Sequence, residues 1–169
     1  METIGLIAAM EREAAPLRRL VADRTRLRLR GISGFRFRLG DRECRLLVSG
    51  VGPLRAGSAA RALLRDAPPD VLVSFGVAGG AERGLRVRDL VIVRSVQLLD
   101  HDELVQPLAL AVLASGALKL VRSVAEGHGV QTFEGTAITT SGSQGIPGGR
   151  GAAVHPILEM ETHAIAIAA

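Results

Sequence analysis

Aromatic and sulfur-containing side chains are scarce in this sequence of 169 residues. It has no tryptophan, no tyrosine, four phenylalanines and one cysteine. The lone cysteine, Cys44, cannot form an internal disulfide, and its neighbours offer no metal-ligand spacing. The four histidines also lack the spacing that is typical of metal sites. The sequence therefore predicts a protein of the reducing cytoplasm, with no metal and no cofactor.

Lysine is nearly absent as well, since Lys119 is the only one and the net charge of +4 comes from arginine. The arginines are dispersed among acidic residues, and without tryptophan or tyrosine most stacking surfaces for single-stranded bases are missing. An RNA-binding domain that uses the hairpin Arg24–Arg38 is therefore the weaker alternative. No apolar run reaches the length of a membrane span, and Glu2 and Glu11 flank the apolar start, unlike a signal peptide. The expected partner is a small molecule, with no nucleic acid and no membrane.

Short apolar runs alternate with helical patterns along the chain. The predicted strands cover residues 4–10, 24–30, 35–39, 43–49, 71–75, 89–96 and 130–139, with a turn at 31–34, helices at 11–21, 56–65, 102–124 and 158–169, and a Gly-rich loop at 141–151. Most strands are uniformly apolar, which indicates burial on both faces. The fold class is therefore α/β, a three-layer αβα arrangement with a central mixed sheet. The absence of repeats and composition breaks predicts one domain over residues 1–169.

Ligand sites in such folds gather where strands end. The loops after Met10, around Gly50 and at Gly76–Gly80 leave strand ends and are the places to search. Glycine-rich backbone at Gly76–Gly80 can hold an anion or let a flat ligand approach, although a plain turn fits the same residues. Glu13 gains from the dipole of the first helix without any other role. Its functional interpretation is a general base or a ligand of a sugar hydroxyl.

Two glutamates interrupt an apolar segment near the end of the sequence. Glu159 and Glu161 flank Met160 between Ile157 and Ala168. A carboxylate in such a segment is costly to desolvate unless donors pair with it. The two adjacent hydroxyls of a ribose would supply paired donors, and Met160 would pack on the sugar. The alternative is a helix that begins with acidic residues in its first turn.

The order of these elements resembles the family of purine nucleoside phosphorylases, uridine phosphorylases and methylthioadenosine/S-adenosylhomocysteine nucleosidases, over nearly the whole chain. The resemblance rests on five segments, at residues 4–13, 49–53, 74–80, 84–93 and 158–164. Within the fourth, Arg88 stands where the family has glycine. The most specific segment is Glu159-Met160-Glu161. The sequences of segments 49–53 and 74–80 look most similar to the branch of hopanoid-associated phosphorylases.

This resemblance implies a role for each candidate residue. Glu13 would position the attacking water, Met160 and Glu161 would bind the ribose, with Glu161 on the diol, and the remaining candidates lie in one loop: Val77, Ala78 and Gly79 for substrate, and Gly76 and Gly80 for phosphate in a phosphorylase. The implied reaction is cleavage of the N-glycosidic bond of an adenine-type purine nucleoside by phosphate or water, in a homo-oligomer.

The family continues beyond the Glu-Met-Glu helix into a strand that carries the aspartate general acid. The present sequence is therefore expected to be a phosphorylase/hydrolase-like fold that is truncated at the C-terminus. The alternative is a catalytically impaired nucleoside-binding or oligomerising relic of the same fold.

Overall fold

The computed structural model describes residues 2–100, 103–105, 107–110, 115–140 and 153–169. The elements in these residues are, in chain order, β1 Thr3–Ala8, α1 Glu11–Leu20, β2 Thr25–Leu29, β3 Ile32–Leu39, β4 Arg42–Val48, α2 Pro53–Asp66, β5 Val71–Ser74, β6 Gly79–Gly80, β7 Leu90–Asp100, β8 Glu103–Leu104, β9 Leu108–Ala109, α3 Ser115–Gly127, β10 Thr132–Thr139, β11 Ile157–Glu159 and α4 Thr162–Ala168. The chain divides into two compact units, residues 1–77 with 164–169, and residues 78–163. The single domain over residues 1–169 stays a prediction.

The first unit contains a five-stranded mixed sheet in the order β2-β3-β4-β1-β5. Strand β1 is parallel to both β4 and β5, whereas β2, β3 and β4 are antiparallel neighbours. Successive residues of a strand point to opposite faces, so each strand can serve two cores. Ile7 and Leu47 pack with helix α2, while Ala8 and Leu46 pack with helix α1. Helices therefore cover both faces of this sheet, which confirms the predicted α/β class and its mixed sheet.

The hairpin β2–β3 turns earlier than the sequence pattern predicted. Arg30 and Gly31 form a two-residue connection, and both have positive φ, 49° and 85°, as a type I′ turn requires. The predicted turn at 31–34 is therefore wrong, because β3 already begins at Ile32. Gly34 is needed for a different reason: a Cβ there would lie 1.9 Å from the carbonyl oxygen of Leu46 on the neighbouring strand.

The second unit has a sheet in the order β6-β11-β10-β7-β8, and β9 also pairs with β7. Strands β7, β10 and β11 are parallel, and α3 contacts β10. The helix predicted from residue 102 is wrong over 103–105 and 107–110, where two short strands pair with β7. The helix predicted from residue 158 begins only at Thr162, because Ile157–Glu159 pairs with β10. The predicted Gly-rich loop at 141–151 lies outside the described residues.

None of the helices within the described ranges is both long enough and apolar enough to cross a membrane.

Candidate active site

Glu13 lies in the first turn of α1, directly after the end of β1. Its half-buried carboxylate is held by two backbone amides from different parts of the chain. Oε2 accepts a hydrogen bond from Met10 N at 2.9 Å, and Oε1 accepts one from Val77 N at 3.0 Å. The first bond closes the N-terminal turn of the helix, as a glutamate at the third helical position does in a capping box. The second bond ties α1 to the loop after β5, 64 residues further along the chain.

The predicted convergence of three loops is present in the first unit. Strands β4, β1 and β5 are parallel neighbours, so their carboxyl ends share one edge of the sheet. Backbone bonds continue past the strand ends, from Gly50 N to Ala9 O at 3.0 Å and from Phe75 N to Ile7 O at 3.1 Å. This pairing places Glu13, the glycines that follow β4 and the start of the Gly76–Gly80 loop at the same edge.

Gly76 touches the Glu13 carboxylate so closely that a side chain has no room. A Cβ at Gly76 would lie 2.7 Å from Glu13 Oε1 and 3.0 Å from Cδ. The glycine is therefore required by the approach of the carboxylate. The loop itself is exposed, and the side chain of Val77 is 70% accessible. In the first unit the structure thus brings together the predicted residues Glu13, Gly76 and Val77, with an anionic group beside the loop backbone.

The remaining loop residues belong to the second unit, because the division falls after Val77. Ala78 is exposed. Gly79 and Gly80 form β6 and pair with Leu158 and Ile157 of β11, the strand that leads directly into Met160. A second link comes from Ala81 N, which donates to the carbonyl oxygen of Pro156 at 2.9 Å.

A polar pair reinforces the attachment of this loop to β11. His155 Nδ1 and Glu82 Oε1 are 2.5 Å apart, and the ring of Phe133 packs against the imidazole with 4.9 Å between centroids. The predicted loop residues Gly79 and Gly80 are therefore fixed beside the start of the Glu-Met-Glu segment.

The Glu-Met-Glu segment joins β11 to α4. Glu159 is the last residue of β11 and Glu161 immediately precedes α4. Glu159 Oε2 accepts hydrogen bonds from Glu161 N and Thr162 N, both at 2.6 Å. Glu159 therefore caps the helix and shapes the turn. The half-buried Glu161 side chain accepts from Met160 N at 3.2 Å. Glu159 is thus the glutamate whose carboxylate holds the two amides that lead into α4.

The sequence pattern missed one residue of this segment, Thr139 at the end of β10. Its side chain is buried, with 1% exposure, and its hydroxyl is bonded to Glu159. Because 20 residues separate the two, no local pattern could have joined them.

Comparison with known proteins places these features in a family. The model of the phosphorylase superfamily matches residues 3–169. A 5'-methylthioadenosine/S-adenosylhomocysteine nucleosidase from Haemophilus influenzae is 37% identical over 99 residues. That match covers 59% of this chain and 43% of the nucleosidase, so it spans less than half of that relative's length.

Solved structures share the fold. The corresponding nucleosidase from Neisseria meningitidis, in complex with methylthio-immucillin-A, superposes with a TM-score of 0.83 at 24% identity, covering 99% of this chain and 79% of that one. A futalosine hydrolase mutant of Helicobacter pylori gives 0.81 at 16% identity, over 99% and 79% of the two chains. The chain belongs to the phosphorylase superfamily, as the sequence resemblance predicted.

Proposed function

We propose that this protein hydrolyses the N-glycosidic bond of an adenine-type purine nucleoside. Membership of the phosphorylase superfamily and the similarity to a methylthioadenosine/S-adenosylhomocysteine nucleosidase support this proposal. The observation that carries it is the position of the Glu13 carboxylate, which two backbone amides hold at the carboxyl edge of parallel strands. Two backbone donors from different parts of the chain fix the orientation of this carboxylate, as the positioning of a general base for water requires.

The same geometry favours water over phosphate as the nucleophile. Gly76 is one of the two candidate phosphate-binding residues, yet the Glu13 carboxylate is the group nearest to it. The amide of Val77, which would be a donor to an anion, already donates to Glu13. A phosphate dianion here would meet a like charge and a donor already in use. We therefore propose that Gly76 positions Glu13 and that the protein uses no cofactor.

In the proposed reaction the ribose acquires oxocarbenium character while the base departs. Glu161 binds the ribose diol, because a carboxylate is the acceptor that suits two adjacent hydroxyl donors. Met160 packs on the sugar. The exposed residues Val77, Ala78 and Gly79 contact the substrate, and Gly80 fixes the loop to β11. Glu13 removes a proton from water as the water oxygen attacks the anomeric carbon. The N-glycosidic bond breaks, its electron pair leaves with the base, and the base takes up a proton from solvent.

A product assay tests the proposal directly. The purified chain is incubated with adenosine, methylthioadenosine or S-adenosylhomocysteine, with and without phosphate, and free adenine is measured by chromatography. We expect adenine and a free sugar without phosphate. The matched variant Glu13→Gln keeps the size of the side chain and should lower the rate by about a hundredfold or more, as loss of a general base does.

The other outcomes each contradict part of the proposal. Release that requires phosphate and yields a sugar phosphate would overturn hydrolysis. Binding without any release would favour the impaired relic. We further propose a cytoplasmic location and a homo-oligomeric state, the latter measurable by light scattering after size-exclusion chromatography.

A further inference from the structure

Thr139 and Glu159 are the last residues of two adjacent parallel strands. They stand opposite each other in the register of β10 and β11, and Thr140 N donates to the carbonyl oxygen of Glu159 at 2.9 Å. The side chains meet as well, because Thr139 Oγ1 donates to Glu159 Oε1. The buried hydroxyl therefore fixes one oxygen of the Glu159 carboxylate.

The other oxygen of that carboxylate holds the turn into α4. Glu159 Oε2 accepts from Glu161 N and Thr162 N, each at 2.6 Å, and from Thr162 Oγ1 at 2.8 Å. Hydrogen bonds to a charged acceptor are shorter and stronger than neutral ones. The backbone amide of Glu161 is thus attached to a carboxylate whose own orientation is set by Thr139.

Thr139 also reaches the helix directly. Its Oγ1 accepts a hydrogen bond from His163 N at 3.0 Å. The amides of three consecutive residues, 161, 162 and 163, are therefore all bonded to the Thr139–Glu159 pair. Glu161 lies between two anchored positions, the end of β11 and the first turn of α4.

We propose that Thr139 is a positioning residue for ribose recognition. Through Glu159 and His163 it fixes the backbone from which the Glu161 side chain extends, and so directs the Glu161 carboxylate toward the ribose diol. This inference rests on the proposed function. A purely structural cap would need only to stabilise the helix, whereas positioning predicts that removing the hydroxyl changes selectivity for the diol.

The experiment measures dissociation constants for adenosine and 2′,3′-dideoxyadenosine by calorimetry on the full chain carrying Glu13→Gln in every variant, so that hydrolysis of adenosine is slow during the titration. The dissociation constant for dideoxyadenosine divided by that for adenosine is the diol ratio. This ratio exceeds one to the extent that binding depends on the diol. Thr139→Val keeps the shape of the side chain and removes the hydroxyl, and Thr139→Ser restores it. Thr136→Val is the matched control, because Thr136 is a buried threonine of the same strand whose hydroxyl is 3.0 Å from Ser95 Oγ.

We expect Thr139→Val to lower the ratio by about tenfold, the effect of weakening one charge-assisted hydrogen bond to the ligand. Dideoxyadenosine affinity should change less than about twofold, because that ligand lacks the diol to which Glu161 would bind. Thr139→Ser and Thr136→Val should keep the wild-type ratio. If Thr139→Val does not fold, Glu159→Gln is measured in its place, and its ratio should fall likewise.

An unchanged ratio in folded Thr139→Val, or an equal fall in Thr136→Val, would overturn the positioning role of Thr139. Either result would leave the proposed function untouched. A wild-type ratio near one would instead refute the ribose-binding role of Glu161, and the inference with it.

Discussion

Replacement of Gly76 by alanine tests whether the Glu13 carboxylate is held as described. The new Cβ would lie 2.7 Å from Glu13 Oε1, whereas nonbonded atoms prefer about 3.5 Å. The carboxylate must therefore retreat by about 0.8 Å, a displacement that takes the 3.0 Å bond from Val77 N out of hydrogen-bonding range.

The expected cost follows from that one bond. A hydrogen bond to a charged group contributes about 1.5–3 kcal/mol to stability. Replacing glycine by alanine offsets about 0.4–1 kcal/mol of that loss, because it lowers the conformational entropy of the unfolded chain. Gly76→Ala should therefore lower the free energy of unfolding by about 1–2 kcal/mol, as measured by urea denaturation.

A double-mutant cycle isolates the cause. In a Glu13→Ala background no carboxylate is left to displace, so Gly76→Ala should be neutral or slightly stabilising. Gly79→Ala is the stability control, because a Cβ there would meet only Leu158 atoms at 3.9 Å. An equal cost of Gly76→Ala with and without Glu13 would refute the reasoning.

Three further outcomes are expected. Glu161→Gln should weaken adenosine binding by at least about tenfold in calorimetry, since a charged acceptor is lost, and unchanged affinity would contradict the diol assignment. Arg88→Gly should raise the free energy of unfolding by about 1 kcal/mol, because Arg88 has φ of 83° and the left-handed region is costly for residues other than glycine; a loss of stability in urea would argue against strain there. Hydrogen bonds from the backbone and side chain of Thr3 lower the pKa of Asp70. This contribution to stability is present above the unfolded pKa of about 3.9 and is lost as the pH falls through the folded value. Asp70→Asn should flatten the pH dependence of the free energy of unfolding below about pH 4. An unaltered slope would show that Asp70 does not contribute to that dependence.

The sequence predicted those parts of the fold in which local pattern and tertiary environment agree. Strands β1 and β5 are mainly apolar, and the helix after β1 carries acidic residues in its first turn. The predictions failed where partners decide the structure. Glu103–Leu104 and Leu108–Ala109 are too short for their pattern to specify strands, and they are extended because β7 pairs with them. The strand Ile157–Glu159 sits inside one apolar run with α4, and periodicity cannot divide such a run.

The candidate site shows the same division. Glu161 could be selected from the sequence because a carboxylate in an apolar segment is unusual, whereas Glu13 and Gly76 received their roles from the family resemblance. Thr139 could not, since a threonine at a strand end is ordinary. The structure explains why the family has glycine at the position of Arg88. Residues 86–89 form a turn in which Asp89 N donates to Arg86 O at 3.1 Å. Arg88 is the third residue of that turn, where its positive φ favours glycine.

The central place of β1 also bears on how the site arises during folding. Strand β1 pairs with residues about 40 positions away in β4 and with residues still further along in β5. Such pairs have high contact order, and the entropy of closing long loops delays them relative to the β2–β3 hairpin. The segment that carries Glu13 is thus expected to acquire its place late. Pulsed hydrogen exchange should protect the amide of Gly34, which faces Leu27 across the hairpin, before that of Ile7 in β1. The reverse order would contradict this sequence of events.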